Sequence, residues 1–155
     1  MNKVLFIDFD GVLNNRSHWF LVAAEDIDYE NPSSHLSETL VKRLNKIVET
    51  TNCNIVISSA WRYHHSLADL RKYLKEKGFN YGEKIIDVTK HISPRNREIE
   101  VEEWLSRNTN VKQFAIVDDI EFFFDEKYPK QFVKTNADDG LTENNVNAII
   151  EILKD

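Results

Sequence analysis

Cysteine is almost missing from this chain. Cys53 stands alone among 155 residues, so no internal disulfide can form, and its place beside an apolar run marks it as a buried, inert thiol. No apolar run approaches the roughly 18 residues that a membrane-spanning helix requires, and no basic leader precedes an apolar segment. The expected setting is therefore cytoplasmic, without membrane association. Basic excess is lacking too: 20 Lys and Arg against 26 Asp and Glu leave a net charge of -6, which argues against coating nucleic acid by bulk attraction. A local basic pocket stays open. There are no repeats, low-complexity tracts or linkers. What remains is an ordinary globular composition, in a chain of a length suited to a single domain over 1–155 with a full core.

Short β-branched and aromatic runs alternate with stretches of helical period. Residues 3–7, 54–58, 85–88, 114–118 and 131–135 read as strands, several too continuously apolar to have a wet face. Helices are expected between them. One carries Leu40, Leu44, Ile47 and Val48 behind an N-cap at Ser37, with Leu36 stapled against Val41. A second starts near Ser66, buries Leu67, Leu70 and Leu74, and stops at Gly78. A third holds Ile99, Trp104 and Leu105. The last is capped by Thr142 and repeats Val146, Ile149, Ile150 and Leu153 at helical spacing. This alternation predicts an α/β fold, a Rossmann-like parallel sheet flanked by helices. One long irregular stretch is expected over 12–36, holding Trp19, Phe20, "EDIDYE" and "NPSS".

In an open α/β sheet, ligands bind beyond the carboxyl ends of the strands. The first strand, "VLFIDFDGVLNN", ends in Asp8 and Asp10, and "NIVISSAWR" ends in Ser58 and Ser59 followed by Trp61 and Arg62. "FAIVDD" ends in Asp118 and Asp119, and "SPRNRE" sets Arg95 and Arg97 at the start of the third helix. Carboxylates crowded together must protonate, pair, or share a cation. An all-oxygen set favours a hard ion, magnesium above all beside phosphate. With hydroxyl and guanidinium donors added, the group suits a phosphoryl ligand. One carboxylate can attack phosphorus, and a second, two residues on, can shuttle the proton.

Taken in order, "DFDGVLN", "VISSAWR", "REIEVEEWL" and "IVDD" resemble the four motifs of the haloacid dehalogenase (HAD) superfamily of phosphatases over nearly the whole chain. "SSAWR", "REIEVEEWL" and the late "GLT" are similar to small HAD domains of RNA-repair proteins and to the phosphatase part of polynucleotide kinase-phosphatases. The resemblance implies Asp8 as nucleophile, Asp10 as general acid/base, Ser58 as phosphate-binding hydroxyl with Ser59 as a further donor, and Arg97 as the basic residue. It implies magnesium held by Asp8, by the backbone carbonyl of Asp10 and by Asp119, with Asp118 in support. Val12 replaces a threonine common in relatives, and arginine replaces the more frequent lysine at 97, a planar fork for a point charge. Arg95 is near enough that the choice between the two arginines stays open.

Several of these residues also have plainer roles open to them. Ser58 and Ser59 can serve as simple caps, and Asp118–Asp119 as a turn. Arg62 leans toward substrate contact, His64–His65 toward a solvated loop, and "EFFF" toward Phe122 to Phe124 covering the sheet. Trp19 and Phe20 stand equally for core or for a wall on which a base stacks. Too few residues lie between the motifs for a cap domain, so an open, nearly capless site is expected. The expected ligands are a phosphorylated small molecule, a nucleotide or a nucleic-acid end, with phosphoproteins as the alternative. No G-x-x-x-x-G-K-[ST] segment supplies a kinase partner. Two rivals remain. A receiver-like module would carry its acidic pair on the first strand rather than the later one. A silent HAD-like binding protein would need no competent motifs.

Overall fold

The alternation of apolar side chains along the strands builds two cores, one on each face of a sheet. In β1 (Lys3–Ile7), Leu5 and Ile7 enter one core while Val4 and Phe6 enter the other. The computed structural model describes residues 3–24 and 31–155. Its sheet has five strands, all parallel, in the order β3-β2-β1-β4-β5, with β2 at Asn54–Ile57, β3 at Ile85–Val88, β4 at Gln113–Asp118 and β5 at Phe132–Lys134. Each lies within one residue of its expected bounds.

The first core lies under α2 (Glu38–Thr51), α3 (Leu67–Glu76) and α6 (Glu143–Leu153). The second lies under α4 (Arg97–Arg107) and the single turn α5 (Phe124–Lys127), where Val101, Trp104 and Phe124 meet Val4, Phe6, Val56 and Ile116. Ser37 and Thr142 cap their helices as expected, the latter in a reciprocal capping box with Asn145, and Ser66, where a helix was expected to start, is its N-cap. Trp104 is buried with its indole N–H donated to Asp87 at 2.7 Å. Cys53 is buried, and burial raises its thiol pKa, in keeping with an inert role.

The region 12–36 departs from expectation. Arg16–Ala24 forms a helix, α1, capped by the Asn15 carboxamide, and Pro32–His35 forms a 3-10 turn. Its apolar residues run consecutively from Trp19 to Ala24, so no 3.6-residue stripe announces it. Only Val22 is buried, and Trp19 and Phe20 are exposed rather than core. The "EDIDYE" stretch lies outside the described residues. No cap domain stands over the strand ends among the described residues, and no helix there is long and apolar enough to cross a membrane.

Two tethers fix the turn after β1. The Thr135 hydroxyl donates to the Gly11 carbonyl at 2.7 Å, and the Leu141 N–H donates to the Val12 carbonyl at 2.8 Å. Gly140, in the "GLT" segment, makes the second tether possible. Its φ is +68°, and a Cβ there would stand 2.6 Å from Leu40 Cδ1 and 3.0 Å from the Asn14 carbonyl oxygen. Gly140→Ala is accordingly expected to destabilise the protein by roughly 1–3 kcal/mol, read as a lower urea midpoint at unchanged m value.

Candidate active site

The strand register assembles the site. Phe6 pairs with Val56 on one side and Ile116 on the other. Two residues further along each strand stand Asp8, Ser58 and Asp118, so period two turns all three toward the face covered by α4. The ladder continues to this point: the Asp8 N–H donates to the Val117 carbonyl and the Ser58 N–H to the Ile7 carbonyl. Asp119 joins from the next position. It can approach because Gly11, at φ +77°, has no side chain; a Cβ there would collide with the Asp119 carboxylate. One oxygen from each of Asp8, Asp118 and Asp119 lies within 4.8 Å of the others, and these carboxylates could hold a metal ion.

Arg97 decides the charge balance. Its Nη1 donates to Asp118 Oδ2 at 2.7 Å and stands 3.4 Å from Asp8 Oδ1. A cation on the first turn of α4 opposes the helix dipole, and the two carboxylates facing it offset that. The Phe122 ring covers the guanidinium, 4.6 Å from centroid to Cζ. Burial disfavours the Arg97 charge, but Asp8 and Asp118 outweigh it and the pKa rises. One cation does not neutralise this many acids. Burial, then Asp118, raises the Asp8 pKa well above the ordinary carboxylate range, with Arg97 working the other way. Asp118 is pushed up to about 6, chiefly by burial, against the pull of Arg97 and of the Ile120 N–H. Arg95 is exposed, so of the two arginines it is Arg97 that meets the acidic cluster.

Asp10 points elsewhere. It is exposed, and its Oδ1 accepts from Asn14 Nδ2 at 2.9 Å and from the Trp61 indole N–H at 3.1 Å. Asn14 is buried, and its carboxamide oxygen also takes the Gly11 N–H. Neither Asn14 nor Trp61 was assigned a role from sequence. Their positions inside "DFDGVLN" and "SSAWR" were the available signal. The Ser58 hydroxyl is fully buried at the strand end and has no hydrogen-bond partner among the described residues, whereas Ser59 caps the following 3-10 turn by accepting from the Trp61 N–H.

Arg62, expected at the substrate, is committed inward. Its Nε donates to the Thr89 carbonyl, Nη1 to the carbonyls of Ser58 and Ser59, and Nη2 to Glu100 at 2.7 Å. The side chains of this ion pair are 2% and 1% exposed, so Arg62 holds the Ser58–Ser59 backbone instead of reaching ligand. Glu100, a helix carboxylate no pattern singled out, also accepts the Ile92 N–H at 2.7 Å. His64 is exposed, but His65 packs against the rings of Trp61 and Tyr73 and pairs with the Tyr73 hydroxyl, so the expected solvated loop holds only for the first. The three phenylalanines also divide. Phe124 is core, Phe122 covers Arg97, and Phe123 is exposed. Phe122 and Phe123 have φ of 43° and 67°, left-handed backbone that costs a non-glycine residue on the order of 1–3 kcal/mol each.

The crowded acids make stability depend on pH. A carboxyl whose pKa is raised by folding takes up a proton as the chain folds. The stability it contributes is present at low pH and is lost as pH climbs from the ordinary carboxylate range through about 6. Asp8→Asn removes one repelling charge. In chelator-treated buffer, its melting temperature is expected to gain on the wild type as pH rises from the ordinary carboxylate range through about 6, and added magnesium to shrink that gain.

A sequence model of a known family, described as the HAD domain in Swiss Army Knife RNA repair proteins, matches residues 4–146. No curated protein and no solved structure matches the chain. The match runs from the first strand into the last helix and takes in every strand end that contributes to the acidic cluster. This chain belongs to the HAD domain family of the Swiss Army Knife RNA repair proteins.

Proposed function

We propose that this protein is a magnesium-dependent phosphomonoester hydrolase that works through an aspartyl-phosphate and takes its phosphate from a nucleotide or a polynucleotide end. The observation that carries this is the acidic cluster of Asp8, Asp118 and Asp119, set against Arg97 and beside the unpartnered Ser58 hydroxyl. An all-oxygen donor set of excess negative charge fits magnesium. Asp8 and Asp119 would hold it together with the Asp10 carbonyl, while Asp118 keeps both oxygens on Arg97 and the Ile120 N–H. Bound there, magnesium would neutralise the phosphate oxygens.

The protein's own residues divide the remaining work. Ser58 donates its free hydroxyl to a phosphate oxygen, held in place because Arg62 and Glu100 fix the backbone behind it. Asp8 attacks phosphorus, forming the acyl-phosphate bond as the ester P–O bond breaks. Asp10 gives its proton to the departing oxygen. It then takes a proton from water, whose oxygen attacks phosphorus, returning Asp8 as carboxylate and releasing phosphate. Trp61 and Asn14 hold Asp10 toward the leaving group. An open strand edge suits a bulky leaving group, and the RNA repair family supports a polynucleotide end.

Phosphate release should require magnesium and fall by about 10³-fold or more in Asp8→Asn. The panel is p-nitrophenyl phosphate, glycerol phosphate, nucleoside 3′- and 5′-monophosphates, and end-phosphorylated DNA and RNA. No release from any of them by folded protein would favour the silent binding module or a phosphoprotein substrate. Trp61→Phe keeps a ring but loses the donor to Asp10. Its kcat is expected to fall more for glycerol phosphate, a poor leaving group that needs the acid, than for p-nitrophenyl phosphate. Equal loss on both would show that Trp61 does not position the acid.

A further inference from the structure

Phe123 has a conformation that its ring does not explain. Its φ of 67° is one that glycine adopts freely and an aromatic residue does not. The hydrogen bonds in which it takes part use its backbone carbonyl, which accepts from the N–H groups of Glu126 and Lys127, and glycine would keep both. Phe122 carries similar strain, but its ring covers Arg97. The Phe123 ring is 54% exposed and, among the described residues, pairs with no other ring. The fold gains little from a phenyl group here.

Position gives it a use. The segment Asp118–Phe123 leaves β4, the strand beside β1, at the acidic cluster. Ile120, 52% exposed, donates its N–H to Asp118, and Phe122 sits on the guanidinium that reaches Asp8. The turn therefore carries two exposed apolar side chains, Ile120 and Phe123, two and five residues beyond Asp118 of that cluster. We infer that Phe123 is a specificity residue on which the base of the phosphate-bearing nucleotide stacks, so that the substrate is the unpaired end of a single-stranded polynucleotide. The inference deepens the phosphatase reading above and rests on it. Charge supports a flat apolar contact: a net charge of -6 disfavours holding a polynucleotide by bulk attraction to its backbone phosphates, which gives the terminal phosphate and its base a larger share of the affinity.

Equilibrium binding tests this apart from turnover. The probe is a fluorescein-labelled, end-phosphorylated hexanucleotide, in 3′ and 5′ forms, read by anisotropy in magnesium with Asp8→Asn as the non-hydrolysing background. The comparison is the same probe with an abasic terminal nucleotide. The intact probe should bind about tenfold or more tightly than the abasic one, and adding Phe123→Gly should erase that preference. Phe123→Gly in the otherwise wild-type protein should melt no lower than wild type, since glycine relieves the backbone. No base preference, a preference that survives Phe123→Gly, or a clear loss of melting temperature would each overturn the inference. Wild-type turnover of glycerol phosphate, measured alongside, reports on the phosphatase reading by itself.

Discussion

Repulsion among carboxylates organises this molecule. Asp8 and Asp118 sit in register on neighbouring strands because the strands themselves are in register, and Asp119 closes on them across a glycine. Buried acids this close are tolerable only beside positive charge, and Arg97 supplies part of it. Much of the surrounding structure serves that arrangement. Phe122 covers the guanidinium, the Ile120 N–H takes the second oxygen of Asp118, and Thr135 anchors the carbonyl of the glycine that lets Asp119 in. A cluster of carboxylates this close could hold a metal ion.

A second buried ion pair does a different job. Arg62 and Glu100 are buried and fasten the backbone of Ser58 and Ser59 to α4, the helix that begins with Arg97. The hydroxyl of Ser58 and the guanidinium of Arg97 are thereby positioned by one helix. Replacing either partner of the pair would leave a buried charge uncompensated, so the scaffold and the strand end that carries Ser58 depend on the same pair of charges.

Much of this was legible in the sequence. The strands were visible because parallel strands buried on both faces are continuously apolar, and Ser37 and Thr142 announced their helices through capping chemistry. The acidic residues could be placed at one edge because they follow strands. Orientation was less accessible. Nothing in "SSAWR" tells whether an arginine reaches outward to ligand or inward to Glu100, a partner 38 positions away. Helix α1 has its apolar residues in a block rather than a stripe, and one inward-facing valine gives no periodic signal. "EFFF" looks uniformly apolar, yet two positive φ angles send its three rings to three different surroundings.

The central place of β1 has a consequence for how the molecule comes into being. Lys3 pairs with Gln113 and Ile7 with Val117, so the first strand waits for a neighbour more than a hundred residues downstream. Contacts of such sequence separation form slowly and late. Asp8 is made well before Asp118, Asp119 and Arg97, which can surround it only after they have emerged. Until then its carboxylate stays in water, where it costs nothing. The repulsion is met only when β4 pairs with β1 and brings Asp118 beside Asp8.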